Sequence, residues 1–297
     1  MAKKVTKKKK VVKKKEEKPS AIELAMKKYK VEVVKTESQV DRIPYRIPYR
    51  NLALQKATGG VIGGSIIEIV APSGVGKSFL GYELIGECQS MGGYAMLVDA
   101  EWAFESAFAK LTGMKLKDGT LLYSRERELE KIGPMTKDFI LGVRKMKRTV
   151  PILIVIDSYA LLDVATAIKN FEDGKKEQGY EQMIKPRLFY KFLKDLLPYI
   201  GDKSATLVIL NQTRTDHSIL FGDKTSSLAK EIKFYVSQKL IGKGVKEIKE
   251  DVGDEKVTIG MISQWLVDKN RFVIPKQKVQ SSILYKNGLD RYSGLLG

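Results

Sequence analysis

The run Ser65-Ile66-Ile67-Glu68-Ile69-Val70 leads directly into Ala71-Pro72-Ser73-Gly74-Val75-Gly76-Lys77-Ser78. This is the spacing of a phosphate-binding loop, G-x-x-x-x-G-K-[ST], with Ala71 in place of the first glycine. The motif constrains the fold, because it needs a strand to deliver the loop and a helix to start behind it. Gly74 and Gly76 let backbone N–H groups approach phosphates closely, and the helix beginning near Lys77 turns its positive end toward them. The ligand class is a nucleoside triphosphate with magnesium. Lys77 is expected at the β- and γ-phosphates and the Ser78 hydroxyl on the metal. Ser73, Gly74, Val75, Gly76, Lys77, Ser78 and Phe79 form the expected cradle. The helix, read over Ser78 to Ser90, places Phe79, Leu80, Leu84 and Ile85 on one side, and Cys88 reads as a packing residue.

At 297 residues the chain can bury one large core or two modest ones, and 43% hydrophobic with 30% charged residues describes a globular protein. No apolar run reaches the length of a membrane span, and the lysine-rich start lacks the apolar segment of a signal peptide. One cysteine and one histidine exclude an internal disulfide and leave little for a zinc site. A cytoplasmic protein without membrane association is expected.

The formal net charge is +18, and residues 1–18 hold ten lysines and two glutamates. Residues 1–19 read as a disordered lysine-rich tail that either solubilises the chain or binds nucleic acid by counterion release. Ser20-Ala21-Ile22-Glu23 has the capping-box pattern of a short helix to about Tyr29, and Val31 to Val34 suits a lone strand. Residues 20–41 therefore read as a helix/strand oligomerisation arm. Arg42-Ile43-Pro44-Tyr45 recurs at once as Arg46-Ile47-Pro48-Tyr49, extended by its prolines, and the core is expected over 42–297.

From Ser65 onward strands alternate with helices. Strand-like runs are Ile66–Val70, Tyr94–Val98, Ile152–Ile156 and Thr206–Leu210, and Tyr190–Tyr199 reads as helix. The alternation predicts an α/β fold with a mostly parallel central sheet flanked by helices. Ligands of such sheets lie beyond the carboxyl ends of the strands, where Asp99-Ala100-Glu101, Asp157-Ser158 and Asn211-Gln212 follow. Asp157 reads as the Walker B carboxylate, holding the magnesium shell with Ser78. Ser158 comes next, where no glutamate can activate water. Glu101, ending a neighbouring strand, is the available group to polarise the attacking water. Gln212 is the candidate neutral sensor of the γ-phosphate.

A glutamate on the strand beside the phosphate loop resembles the RecA family. Asp99-Ala100-Glu101-Trp102-Ala103 resembles its Asp-Ala-Glu segment, and Asn211-Gln212-Thr213-Arg214 its Asn-Gln-x-Arg. Lys233-Phe234-Tyr235-Val236-Ser237 resembles its Lys-Phe-Tyr-x-Ser, and Lys269-Asn270-Arg271 its Lys-Asn-Lys. The closing Gly288 to Leu296 and the upstream Ile47 to Leu54 look most like the phage UvsX-type branch. The likeness covers about residue 43 to the end.

The resemblance implies a RecA-like P-loop ATPase core using ATP and Mg2+. It implies a DNA-dependent ATPase that forms filaments on single-stranded DNA and promotes homologous pairing and strand exchange. Glu101 is then the catalytic carboxylate, acting with Lys77 and Gln212, and Gln212 couples the γ-phosphate to DNA. Phe108 falls where a ring packs on adenine. Lys269 and Arg271 would reach the γ-phosphate of the neighbouring subunit as an arginine finger does, with Phe234 at that interface. About Ala165 to Met183 becomes the first DNA loop, carrying Lys175 and Lys176. Thr213 to about Lys230 becomes the second, carrying Thr213, Arg214, Lys224 and Lys230. The implied partners are single-stranded and duplex DNA, further copies of the chain head to tail, a single-strand-binding protein and a loading mediator. The compartment would be the host cytoplasm if the chain is phage-encoded.

Arg271 stands where the family has a second lysine, which keeps the charge and changes the geometry. A carboxyl-terminal duplex-binding domain is expected to be absent, with the lysine tail taking over its task. Two other readings stay open at this stage: a helicase-type ring motor using the same site, and an ATP-binding recombination mediator.

Overall fold

A computed structural model of the chain describes residues 44–295 apart from 148, 175–178, 203, 216–223 and 227–231. The expected tail over 1–19 and arm over 20–41 lie outside the described residues.

In chain order the elements are β1 (Arg46–Ile47), α1 (Leu52–Thr58), β2 (Val61–Ile62), β3 (Ile66–Ala71), α2 (Lys77–Ser90), β4 (Tyr94–Asp99), α3 (Ser106–Leu111), β5 (Leu121–Ser124), α4 (Leu129–Met146), β6 (Ile152–Asp157), α5 (Ala165–Glu172), α6 (Gly179–Asp202), β7 (Ala205–Thr215), β8 (Lys224–Ser226), β9 (Gln238–Val252), β10 (Glu255–Asn270), β11 (Lys278–Leu284) and β12 (Gly288–Leu289). The main sheet has the order β12-β11-β10-β9-β3-β7-β6-β4-β5, with β8 attached to β7. From β9 through β5 every neighbouring pair is parallel. From β9 to β12 the sheet continues as an antiparallel meander. The fold is the α/β sheet flanked by helices that the alternation predicts.

Successive strand residues point to opposite faces, so a parallel strand covered on both sides must be apolar throughout. Ile67, Ile69, Leu97, Leu153, Val155, Val208 and Leu210 pack with Leu80, Leu84 and Ile85 of α2. Ile66, Met96, Val98, Ile154, Ile156, Leu207 and Ile209 pack on the other face with Ile132 and Ile140 of α4 and Phe189 and Leu193 of α6. Cys88 is buried in the first of these layers, as a packing residue. Among the described residues no helix is long and apolar enough to cross a membrane.

The Arg-Ile-Pro-Tyr repeat is pinned to the core by both tyrosines. Tyr45 Oη donates to Ser204 O at 2.6 Å, and Tyr49 Oη donates to Gln238 Oε1 at 3.4 Å. Just beyond, Asn51 caps α1 by accepting from Leu54 N, while its Nδ2 donates to Asp290 O at 2.8 Å and Ser293 O at 2.9 Å. These two segments, about 240 residues apart in sequence, are thus tied to each other. One asparagine both caps the helix and anchors the closing segment.

Several sequence boundaries need correction. The strand expected to end at Leu210 runs on to Thr215, because Thr213–Thr215 pairs with Lys224–Ser226. Asn211 and Gln212 therefore sit within a strand and not after it. The stretch 165–183, expected as a loop, carries α5 and the start of α6. The helix expected over Tyr190–Tyr199 is the middle of α6, which contains Pro186 and Pro198, residues that usually read as breaks. The meander β9–β12 has no counterpart in the sequence reading.

Candidate nucleotide site

β3 delivers the loop and α2 starts behind it. Gly74 and Gly76 have φ of +76° and +95°, a left-handed backbone that glycine adopts without penalty. Gly76 caps α2 without any side-chain hydrogen bond, so the first N–H groups of the helix stay available to an anion. Lys77 is buried, and its Nζ donates to Pro72 O at 3.2 Å. Burial pulls its pKa below the usual lysine range, against the opposing charges of Glu101 and Asp157.

The meander braces this loop. Ser263 Oγ donates to Val75 O at 2.7 Å. The departure at Ala71 has its explanation in β9: a methyl added at Gly242 would lie 2.6 Å from Ala71 Cβ and 2.8 Å from Val75 Cγ1. The bare backbone of Gly242 makes room for the methyl that Ala71 brings to a glycine position. Val75 and Phe79 are buried, so toward a ligand they have only backbone to offer.

The ends of β4 and β6 and an inner residue of β7 converge beyond the loop. Asp157 closes β6, is 2% exposed, and its Oδ1 has no hydrogen-bond partner among the described residues. Burial pushes its pKa up to about 6, and the negative charge of Glu101 adds to the rise; the Ser78 and Tyr82 hydroxyls and Lys77 counter it. A buried carboxylate oxygen without a partner, close to a serine hydroxyl, is a suitable ligand set for Mg2+. Glu101 Oε1 accepts from Ser158 Oγ at 2.6 Å and from Gln212 Nε2 at 3.3 Å. The backbone of the Glu101 turn is tied to the same strand end, with Ala100 N and Glu101 N donating to Asp157 O at 2.7 and 3.2 Å.

Asp99 shapes that turn from below. It accepts from Ala103 N and Phe104 N, each at 3.2 Å, and from Tyr123 Oη at 2.8 Å. Trp102 takes a left-handed φ of +56°, which carries the chain sharply away after Glu101. Ser158 and Asp99 are the residues sequence reasoning missed. In the sequence, Ser158 stands out only as a position without a glutamate. Its signal was there: a hydroxyl beside the Walker B aspartate at a shared sheet edge.

Phe108 lies on α3, 37% exposed, with its ring edge-on to Phe79 at 5.1 Å. Lys269, Arg271 and Phe234 form a separate cluster. Lys269 Nζ donates to Lys233 O at 2.9 Å, and the Arg271 guanidinium donates to Phe234 O at 2.7 Å. Phe234 itself is 76% exposed. Burial and the charges of Arg271 and Lys239 draw the Lys269 pKa down. The hydrogen bonds described for the two cations go to this turn and not to Glu101 or Asp157.

Of the expected DNA contacts, Thr213 is half-buried on β7. Arg214 and Lys224 lie on β7 and β8, where the backbone alone is described. Lys175, Lys176 and Lys230 lie outside the described residues. Two cavities, of about 450 Å3 beside Trp265 and about 600 Å3 between α4 and α6, contain none of the candidate residues.

Residues 5–290 match the family described as RecA N-terminal domain. The chain is 29% identical over 289 residues to Protein RecA of Thermotoga neapolitana, covering 93% of this chain and 76% of that one. It is 31% identical over 255 residues to Protein RecA of Geobacter sulfurreducens, covering 84% and 70%. It is 30% identical over 265 residues to Protein RecA of Legionella pneumophila strain Corby, covering 88% and 71%.

Proposed function

The chain belongs to the RecA family, and from that premise we propose an ATP-dependent recombination protein that forms filaments on single-stranded DNA, pairs it with a homologous duplex and exchanges strands. One observation carries the mechanism: Gln212 touches Glu101 with its side chain and opens the segment expected to meet DNA. A change in that segment on DNA binding reaches the carboxylate through one amide.

Bound Mg·ATP would supply the phosphoanhydride to be cleaved. The Lys77 ammonium and the open N–H groups of α2 would hold its phosphates, and Ser78 with Asp157 would hold the metal. Glu101, held by Ser158 and Gln212, orients the attacking water and takes its proton at Oε1 or Oε2. Phe108 offers a ring face beside the loop for the base. Lys269 and Arg271 serve the site of the next protomer, which makes ATP part of a head-to-tail interface that leads to an open filament. Phe234, exposed at the same turn, belongs to that interface.

We place the DNA contacts on Thr213, Arg214, Lys224, Lys230, Lys175 and Lys176. The UvsX-type affinity is our finer reading, supported by the tie between Asn51 and the closing segment. The domain plan follows: a lysine-rich tail over 1–19, an oligomerisation arm over 20–41, and the ATPase core over 42–297. A single-strand-binding protein and a loading mediator are the accessory partners that fit, in a cytoplasmic setting.

The test is electron microscopy with single-stranded DNA and a slowly hydrolysed ATP analogue, combined with phosphate release. Helical filaments with DNA-stimulated turnover are expected. Rings would favour the helicase-type motor, and neither filament nor turnover would favour the mediator. Lys77→Ala should abolish turnover, while Glu101→Ala should retain ATP binding and stay on DNA.

A further inference from the structure

Glu68 is a charged residue in the middle of the apolar strand β3, 0% exposed, three positions before the phosphate loop begins. Nothing in the site described above uses it. Its Oε1 accepts from Asn211 Nδ2 at 3.2 Å. Its Oε2 lies 3.4 Å from Lys239 Nζ, whose side chain is 12% exposed. Both neighbours are fixed by sheet register: β3 pairs with β7 on one side and places Lys239 of β9 directly opposite Glu68 on the other.

Each neighbour leads to a different functional cluster. Asn211 Oδ1 accepts from Gln212 N at 2.9 Å, and Gln212 then reaches Glu101. Lys239 stands opposite Lys269 in the antiparallel register of β9 and β10. Lys269 also feels Arg271, so three cations crowd together there and the Glu68 carboxylate offsets one of them. A buried ion pair is a weak source of stability, because desolvation cancels much of its attraction; where one persists, a role in fixing a particular arrangement is worth testing.

Resting on the function proposed above, we propose that Glu68 is a positioning residue that links the cations Lys269 and Arg271 to Gln212. A phosphate drawn to Lys269 relieves the repulsion on Lys239. The Lys239–Glu68 pair then tightens, and Asn211 and the Gln212 backbone move with the carboxylate. The chain Lys269–Lys239–Glu68–Asn211–Gln212–Glu101 would make each protomer's glutamate responsive to its neighbour's nucleotide without any contact between Lys269 and Glu101.

The measurement is the ratio of single-stranded DNA affinity with a slowly hydrolysed ATP analogue to that with ADP, using the full chain. Glu68→Gln keeps an acceptor for Asn211 and removes the charge; Lys239→Met cuts the other link. Each should lower the ratio about tenfold or more while nucleotide affinity without DNA changes less than about twofold. The double variant should be no worse than either single one, as expected for residues acting in one chain. An unchanged ratio in either folded variant overturns the proposal. Loss of cooperative unfolding in both variants overturns it too, in favour of a purely structural ion pair. If the wild-type ratio is itself close to one, the recombination reading fails instead, and the two failures are told apart.

Discussion

Ser158 Oγ donates a 2.6 Å hydrogen bond to Glu101 Oε1, joining the residue after the Walker B aspartate to the candidate base on the next strand. The position where other P-loop ATPases could keep a glutamate here holds the serine that fixes one. Under the proposed mechanism, Glu101 and Ser158 divide between two strands a task that one residue could perform.

Ser158→Ala should leave Glu101 held by Gln212 alone. Loss of one hydrogen bond to a charged group is worth about 1.5–3 kcal/mol, or about a ten- to hundredfold fall in DNA-stimulated kcat. ATP affinity should hardly change. Steady-state kinetics with saturating DNA reads the split, and a fall confined to KM would contradict this role.

As the proposed metal ligand, Asp157 should tie Mg2+ binding to pH. Its pKa is raised from 3.8 to about 6, so in the metal-free protein the carboxyl lowers stability as pH rises through that window. Magnesium must displace the proton, so apparent Mg2+ affinity should weaken about tenfold per pH unit below about pH 6 and level off above it. Mg2+ titrations from pH 5 to 7, with a fluorescent nucleotide as reporter, give the profile. A flat profile would remove Asp157 from the metal shell.

Glu83 on α2 is a second buried carboxyl, 0% exposed, with no hydrogen-bond partner on either oxygen among the described residues and Arg50 Nε 3.9 Å away. Burial raises its pKa from 4.5 to about 8, against the attraction of Arg50. Wild-type stability should therefore fall as pH rises across that window. Glu83→Gln should remove the slope and be more stable at pH 9 by on the order of 5 kcal/mol. Thermal unfolding of both proteins against pH decides it; parallel curves would mean that Glu83 ionises freely.

Gly242→Ala should push a methyl into Ala71 and Val75. Overpacking of this kind costs about 1–3 kcal/mol, and here it falls on the phosphate loop, so ATP affinity should drop with stability. Adding Ala71→Gly should restore part of both, because one of the two clashes is removed. Absence of any rescue in nucleotide titrations would show that the two sites do not share the space.

The residues most legible from sequence were those at parallel strand ends. Apolar runs announce such strands, and the fold puts their polar successors at one edge, which is how Asp157, Glu101 and Gln212 were found together. Ser158 and Asp99 escaped because their roles depend on turn geometry that composition does not encode. The meander was illegible for another reason. The distal parts of β9 and β10 are exposed, so charged residues such as Lys246, Glu247, Glu255 and Lys256 break the apolar alternation that marks a strand. β7 was cut short at Leu210 because its continuation is polar and held by pairing with β8.

The phosphate loop is one of the first parts of the core to be synthesised, yet its two braces, Gly242 and Ser263, come some 170 to 190 residues later. A nascent chain that has the whole motif still lacks the wall against which Ala71 and Val75 settle. The proposed nucleotide cradle is therefore a late product of translation, and a ribosome stalled before the meander would hold a chain with the whole phosphate-loop motif and no finished cradle.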